Sequence, residues 1–178
     1  MITFPVMSCR MMCGAALLSM IAASALAQTV VSSFQNWTAA TYQEPTGTVC
    51  YAFARSAAGS HPDALLTVVH RPQGRDQVAL RIGRSLPRNA EVTVTVGTTN
   101  LSFYTAEGTA FARNGRAVVA AFRKGRSAVV KSPSGNNRRT TSDTFSLAGF
   151  GPAYAAINRE CPPETPRRIG SINRRGRA

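Results

Sequence analysis

Four cysteines and two histidines carry most of the side-chain chemistry this sequence could support. A nucleophilic mechanism needs a thiol or hydroxyl, a base within hydrogen-bond reach, and a group that stabilises developing charge. His61 lies in a proline-bounded loop and His70 at the end of a strand-like run, and neither belongs to a G-x-S-x-G elbow or an H-E-x-x-H pair. His70 is read as a surface or structural strand-end residue. The carboxylates are spread singly, without the dense alternation of a calcium loop, and no glycine-rich loop opens a helix after a strand. The sequence therefore assigns no catalytic residue, no metal ligand, no cofactor and no small-molecule substrate, and the expectation is a protein that is not an enzyme.

What the cysteines do depends on where the chain resides. The opening MITFPVMSCRMMCGAALLSMIAASALAQ carries one positive charge, Arg10, then an apolar run from Gly14 to Leu26 ending in the small-residue triplet Ala25-Leu26-Ala27. That is the layout of a cleaved Sec-type secretory signal over residues 1–27, with cleavage expected between Ala27 and Gln28. A membrane anchor is the competing reading, but the run is short of the ~20 residues that span a hydrocarbon core. Cys9 and Cys13 precede the apolar run and leave with the signal. Cys50 and Cys161 remain, and in an oxidising exported compartment a surviving pair is expected to form a disulfide rather than a metal site. Removal of the signal leaves about 150 residues, enough for a single core, read as one domain over residues 28–161.

The formal charge of +13 falls to +12 without Arg10, and nearly all of it is arginine. Such a balance favours anionic partners through the summed field, although arginine scattered over a solvated surface would give the same count. Beyond Cys161 the chain reads PPETPRRIGSINRRGRA, too poor in apolar residues to offset the entropy of ordering, so residues 162–178 are expected to form a disordered basic tail. Arg167, Arg168, Arg174, Arg175 and Arg177 are its expected contacts with an anionic surface. The expected partners are an envelope or host-surface protein or an anionic polymer, with peripheral contact to an anionic membrane. Nucleic acid is the rival, since Tyr51, Phe53, Phe103 and Tyr104 could stack bases; the export signal and the burial of some of these rings stand against it.

The elements that must position these residues are mostly strands. Residues 34–42, 48–55, 64–71, 77–83, 91–96, 101–105, 126–131 and 141–147 alternate β-branched or aromatic residues with polar ones, between Gly, Pro, Asn and Asp. In AEVTVTVG, Val92, Val94 and Val96 share one face, the habit of an antiparallel sheet with one face buried. About eight such runs predict a sandwich or barrel. RAVVAAFRKG, residues 116–125, has Val118, Val119 and Phe122 at helical spacing and closes on Arg123, Lys124 and Gly125, which favours a short helix over a strand. In SLAGFGPAYAAINREC, Gly149 and Gly151 permit a sharp entry, Pro152 suits a first helical turn, and Phe150, Ala153, Tyr154, Ile157 and Cys161 fall on one helical stripe.

FQNW around Trp37, CYAFA from Cys50, LTVVHRP, DQVALRIG, FYTAEGTAFA, AFRKG, SAVVKS and TTSDTFSLAGF stand in an order that resembles the invasion-associated locus B family of exported alphaproteobacterial proteins. The resemblance runs from Phe34 to Cys161. Phe111 stands where many members have tryptophan, and Thr38 to Thr41 hold no counterpart of the extra cysteine found in some members. The resemblance implies an all-β, immunoglobulin-like antiparallel β-sandwich with one or two short helices, the last ending the domain. It also implies a periplasmic or cell-surface location, a role linked in one pathogen to erythrocyte entry, and no catalytic residues. An accessory or chaperone-like envelope protein is the alternative.

Overall fold

A computed structural model describes residues 28–83, 86–133 and 139–163. The expected signal at 1–27 lies outside the described residues, as does the basic tail from 164 onward, including Arg167, Arg168, Arg174, Arg175 and Arg177.

Among the described residues eleven strands and two helices follow one another along the chain. They are β1 (Thr29–Phe34), β2 (Trp37–Glu44), β3 (Gly47–Arg55), β4 (Ala58–Gly59), β5 (Leu65–Arg71), β6 (Gly74–Arg81), β7 (Glu91–Val96), β8 (Thr99–Ala106), β9 (Thr109–Ala112), α1 (Gly115–Phe122), β10 (Ser127–Pro133), β11 (Thr140–Ser146) and α2 (Phe150–Glu160). The strands hydrogen-bond in the order β1-β2-β3-β5-β6-β9-β8-β7-β10-β11-β4. The junction of β6 and β9 is short, limited to Ala79 with Phe111 and Leu80 with Ala110. On either side of it the ladder forms two layers of an immunoglobulin-like antiparallel β-sandwich. Their inward residues, such as Ala52, Leu66 and Leu80 from one layer and Val94, Phe103 and Phe145 from the other, belong to one buried cluster.

Strands β7, β8 and β9 are joined by hairpins, and α1 carries the chain back so that β10 lies beside β7. This is Greek-key connectivity, with α1 as the long return. Asn114 caps α1 by accepting the Ala117 N–H at 3.1 Å, and Val118, Val119 and Phe122 bury its inner stripe. The helix ends at Phe122, and Gly125 follows where space is short: a Cβ there would lie 2.3 Å from Val96 Cγ1. Gly125 is not among the glycines of positive φ, so close packing and not a left-handed turn requires glycine there.

Helix α2 closes the sandwich. Gly149 turns the chain into it with φ of 90°, and a Cβ at that position would lie 1.9 Å from Phe34 O, so only glycine lets the last strand turn this close to β1. Gly151 has open space around it and plays no such part. Phe150 then meets Trp37 with ring centroids 4.8 Å apart, and Phe122 with centroids 5.4 Å apart. The buried Trp37 Nε1–H donates to Ser146 O at 3.0 Å, which joins β2 to the end of β11 through the core.

One strand expectation is corrected. Residues 34–42 are not one strand, because the chain reverses at Gln35, whose φ is 51°, and β1 pairs back on β2 from Phe34 with Trp37. The short strands β4 and β9 also escape the alternation pattern, since two and four residues are too few to show it. Among the described residues no helix is long and apolar enough to cross a membrane.

Candidate functional site

Cys50 lies on β3 facing the core, and Cys161 caps the C-terminus of α2; the two form a disulfide with Cα atoms 6.0 Å apart and a sequence separation of 111. The cross-strand partner of Cys50 on β5 is His70, which is fully buried. A buried imidazole needs both nitrogens satisfied. Asp76 N–H donates to His70 Nδ1 at 3.2 Å, so Nδ1 is the acceptor and Nε2–H donates to Asn158 Oδ1, also at 3.2 Å. Asn158 Oδ1 accepts Arg75 Nη2–H as well, and Arg75 Nη1–H reaches Cys161 O. Tyr154 O–H donates to Asp76 Oδ1 at 2.7 Å. Tyr154, Asn158 and Cys161 are spaced by four and three residues on α2, so one helical stripe meets the β5–β6 hairpin through polar contacts and the disulfide together.

The electrostatics agree with a neutral His70. Burial holds its proton affinity below the ordinary histidine range, and the Arg75 guanidinium lowers it further. Asp76 pulls the other way, but its carboxylate is 3.8 Å off and also accepts from Tyr154, so burial prevails. The Tyr154 hydroxyl holds its proton more tightly than usual, through burial and its bond to Asp76. The cluster thus combines histidine, aspartate, tyrosine and arginine, each with a bond that fastens α2 to the hairpin.

His61 is placed elsewhere. The fully buried Asp143 of β11 accepts the His61 backbone N–H and His61 Nδ1–H, both at 2.7 Å. A Cβ on Gly59 would lie 2.5 Å from Asp143 Cα, so β4 can lie against β11 only with glycine there. The pair clamps the crossing segment between β3 and β5 to the opposite layer. Among the described residues no group of three or more His, Cys, Asp or Glu is arranged to hold a metal ion.

The outer face of the first layer is the third feature. Tyr51 and Phe53 project outward from β3, half-buried, with ring centroids 5.9 Å apart and planes within 23° of parallel; Tyr42 meets Tyr51 edge-on at 5.7 Å. On β9 and β8 of the second layer Phe111 and the exposed Tyr104 pair at 5.8 Å, and Arg113 lies over the Tyr104 ring at 5.6 Å. Arg71 is held by the Tyr42 hydroxyl, by Gln77 and, at 3.5 Å, by Glu44. Of the rings the sequence offered as stacking candidates, Phe103 is buried in the core while Tyr51, Phe53 and Tyr104 reach the outer face. Tyr42 and the Arg75–Asp76–Asn158 network were not singled out, and Phe111 was noted only as a departure from the family resemblance. The even-numbered parity of β2 puts Tyr42 on the same face as Thr38, while nothing local signals the network.

The profile described as Invasion associated locus B (IalB) protein matches residues 37–158. The crystal structure of invasion associated protein b from Bartonella henselae superposes with a TM-score of 0.53 at 14% identity, over 72% of this chain and 96% of that one. No curated protein is matched.

Proposed function

Since the chain belongs to the invasion associated locus B family, we propose that it is a non-enzymatic interaction protein of the cell envelope or cell surface, exported by its N-terminal signal. The observation that carries this reading is where the chemistry lies. The titratable groups around His70 and His61 are spent on fastening elements to one another, whereas aromatic rings and arginines are presented on an open sheet face. Contacts of that kind serve recognition of a surface more readily than turnover of a small molecule held in an enclosed cleft. The disulfide supports the exported location, because such bonds persist in oxidising compartments.

Contact with a host cell is the form of this function that the name of the Bartonella henselae neighbour points to. The alternative is an accessory or chaperone-like role within the periplasm. Protease treatment of intact cells separates them. Digestion of the protein on intact cells is the expected result for a surface role, and full protection until the outer membrane is permeabilised would transfer the reading to the periplasmic alternative.

A further inference from the structure

The strand registers bring Thr38, Phe53, Thr67 and Ala79 into one row across the outer face of the first layer, and the row passes at the β6–β9 junction to Phe111 and Tyr104 of the second. Beside Phe53 the row continues over the small Thr67 and Ala79 to the edge of the first layer, so it forms a shallow trough with Phe53 as its aromatic wall. The next row on one side is Arg55, Leu65 and Arg81. On the β2 flank of Phe53 a depression of about 250 Å³ is lined by Asn36, Thr38, Phe53, Arg55 and Ser56, among others.

The chemistry of this surface is mixed in a specific way. The half-buried Phe53, stacked on Tyr51, offers apolar ring surface, while hydroxyl, amide and guanidinium groups stand at its edge. A sugar ring has the complementary form, with an apolar C–H face and a rim of hydroxyls. Charge selects further. Arg55 and Arg81 are exposed and make no ion pair among the described residues. Among those residues the single carboxylate on the outer face of β2, β3, β5 and β6 is Glu44, already engaged by Arg71 and Tyr42. Guanidinium groups suit planar carboxylates, which they bind through two parallel hydrogen bonds.

We propose that this trough binds an acidic polysaccharide, with Phe53 stacking on a sugar ring and Arg55 and Arg81 receiving its carboxylates. The proposal rests on the reading of the chain as an envelope interaction protein and names the partner of its open face.

The test is a titration of tetragalacturonate, at about 150 mM salt, into protein purified from cells expressing the full chain. Cellotetraose and an oligothymidylate serve as comparison probes. Binding should saturate, weaken at least tenfold in Phe53→Ala, and weaken severalfold in Arg81→Gln, whose side chain is exposed and whose fold is not at risk. Replacing Arg167, Arg168, Arg174, Arg175 and Arg177 with glutamine should change the affinity less than twofold. No saturation, equal binding of cellotetraose, tighter binding of oligothymidylate, or loss of binding only in the tail variant would each overturn the proposal. Wild-type and Phe53→Ala proteins are also bound to isolated envelopes. Envelope binding without tetragalacturonate binding removes the glycan proposal alone, whereas absence of both removes the interaction reading with it.

Discussion

His70 is confined to one protonation state by its neighbours, and this makes it a stability determinant with a sign. Its nitrogens accept from Asp76 N–H and donate to Asn158, and a second proton would set two donors face to face at Nδ1. Tyr154 and the disulfide pack beside it, Arg75 stands opposite, and among the described residues the Asp76 carboxylate at 3.8 Å is the one anion within ion-pair range. Because the folded state takes up this proton less readily than the unfolded chain, the contribution of His70 is complete above a pH of about 6.5 and is lost as pH falls below it. The urea midpoint should therefore fall between pH 7 and pH 5, and fall less steeply in His70→Gln; parallel profiles would remove His70 as the cause. The adjoining disulfide closes a long loop, and the chain-entropy model assigns such a crosslink about 4 to 5 kcal/mol as an upper figure. A Cys50→Ser, Cys161→Ser double variant should lose about 2–5 kcal/mol by urea unfolding. Intact mass of the wild-type protein should show two fewer hydrogens than the free dithiol.

At the scale of elements, α2 is the part on which the others depend. Its entry needs a left-handed residue beside Phe34 O, so Gly149→Ala adds backbone strain of about 1–3 kcal/mol to a steric conflict. The melting temperature should fall clearly, and an unchanged value would mean that the turn can move. At α1, Asn114→Ala removes the side-chain cap and should cost about 1 kcal/mol, read from the same denaturation curves. Long elements were legible in the sequence because their periods were complete. Val92, Val94 and Val96 disclosed β7, and Phe150, Ala153 and Ile157 disclosed the buried stripe of α2. The strand β1 was missed because four of the six residues of TVVSSF are polar or exposed and it lies at a sheet edge. The site was legible only in part. Cys50 and Cys161 followed from compartment and count, but the bond from Asn158 to His70 spans 88 residues and depends on how α2 docks. The outer-face row likewise follows from register, which pairs Phe53 with Thr67 and Ala79 with Phe111.

For the whole molecule, a formal charge of +13 implies attraction to polyanions that is long-ranged and screened by salt. Two basic regions contribute differently. The arginines beyond Cys161 are proposed to act through charge alone, and those beside Phe53 through charge placed next to a ring. Removal of residues 162–178 should weaken binding to anionic vesicles several-fold at low salt; equal binding by the two chains would deny the tail a role. Affinity capture of envelope components at low and high salt should likewise retain at high salt any partner held by more than screened charge.

The placement of α2 also governs the order in which the molecule can be completed. Phe145, Phe150 and Ile157 are all fully buried, and Cys161 follows them at the end of α2. A chain delivered N-terminus first through a pore would have most of its strands across before these residues arrive, yet its interior would stay open and Trp37 would lack Phe150. On such a route closure and crosslinking would come last. Until then the chain would stay easy to thread, and also exposed to proteases and to mispairing with other chains.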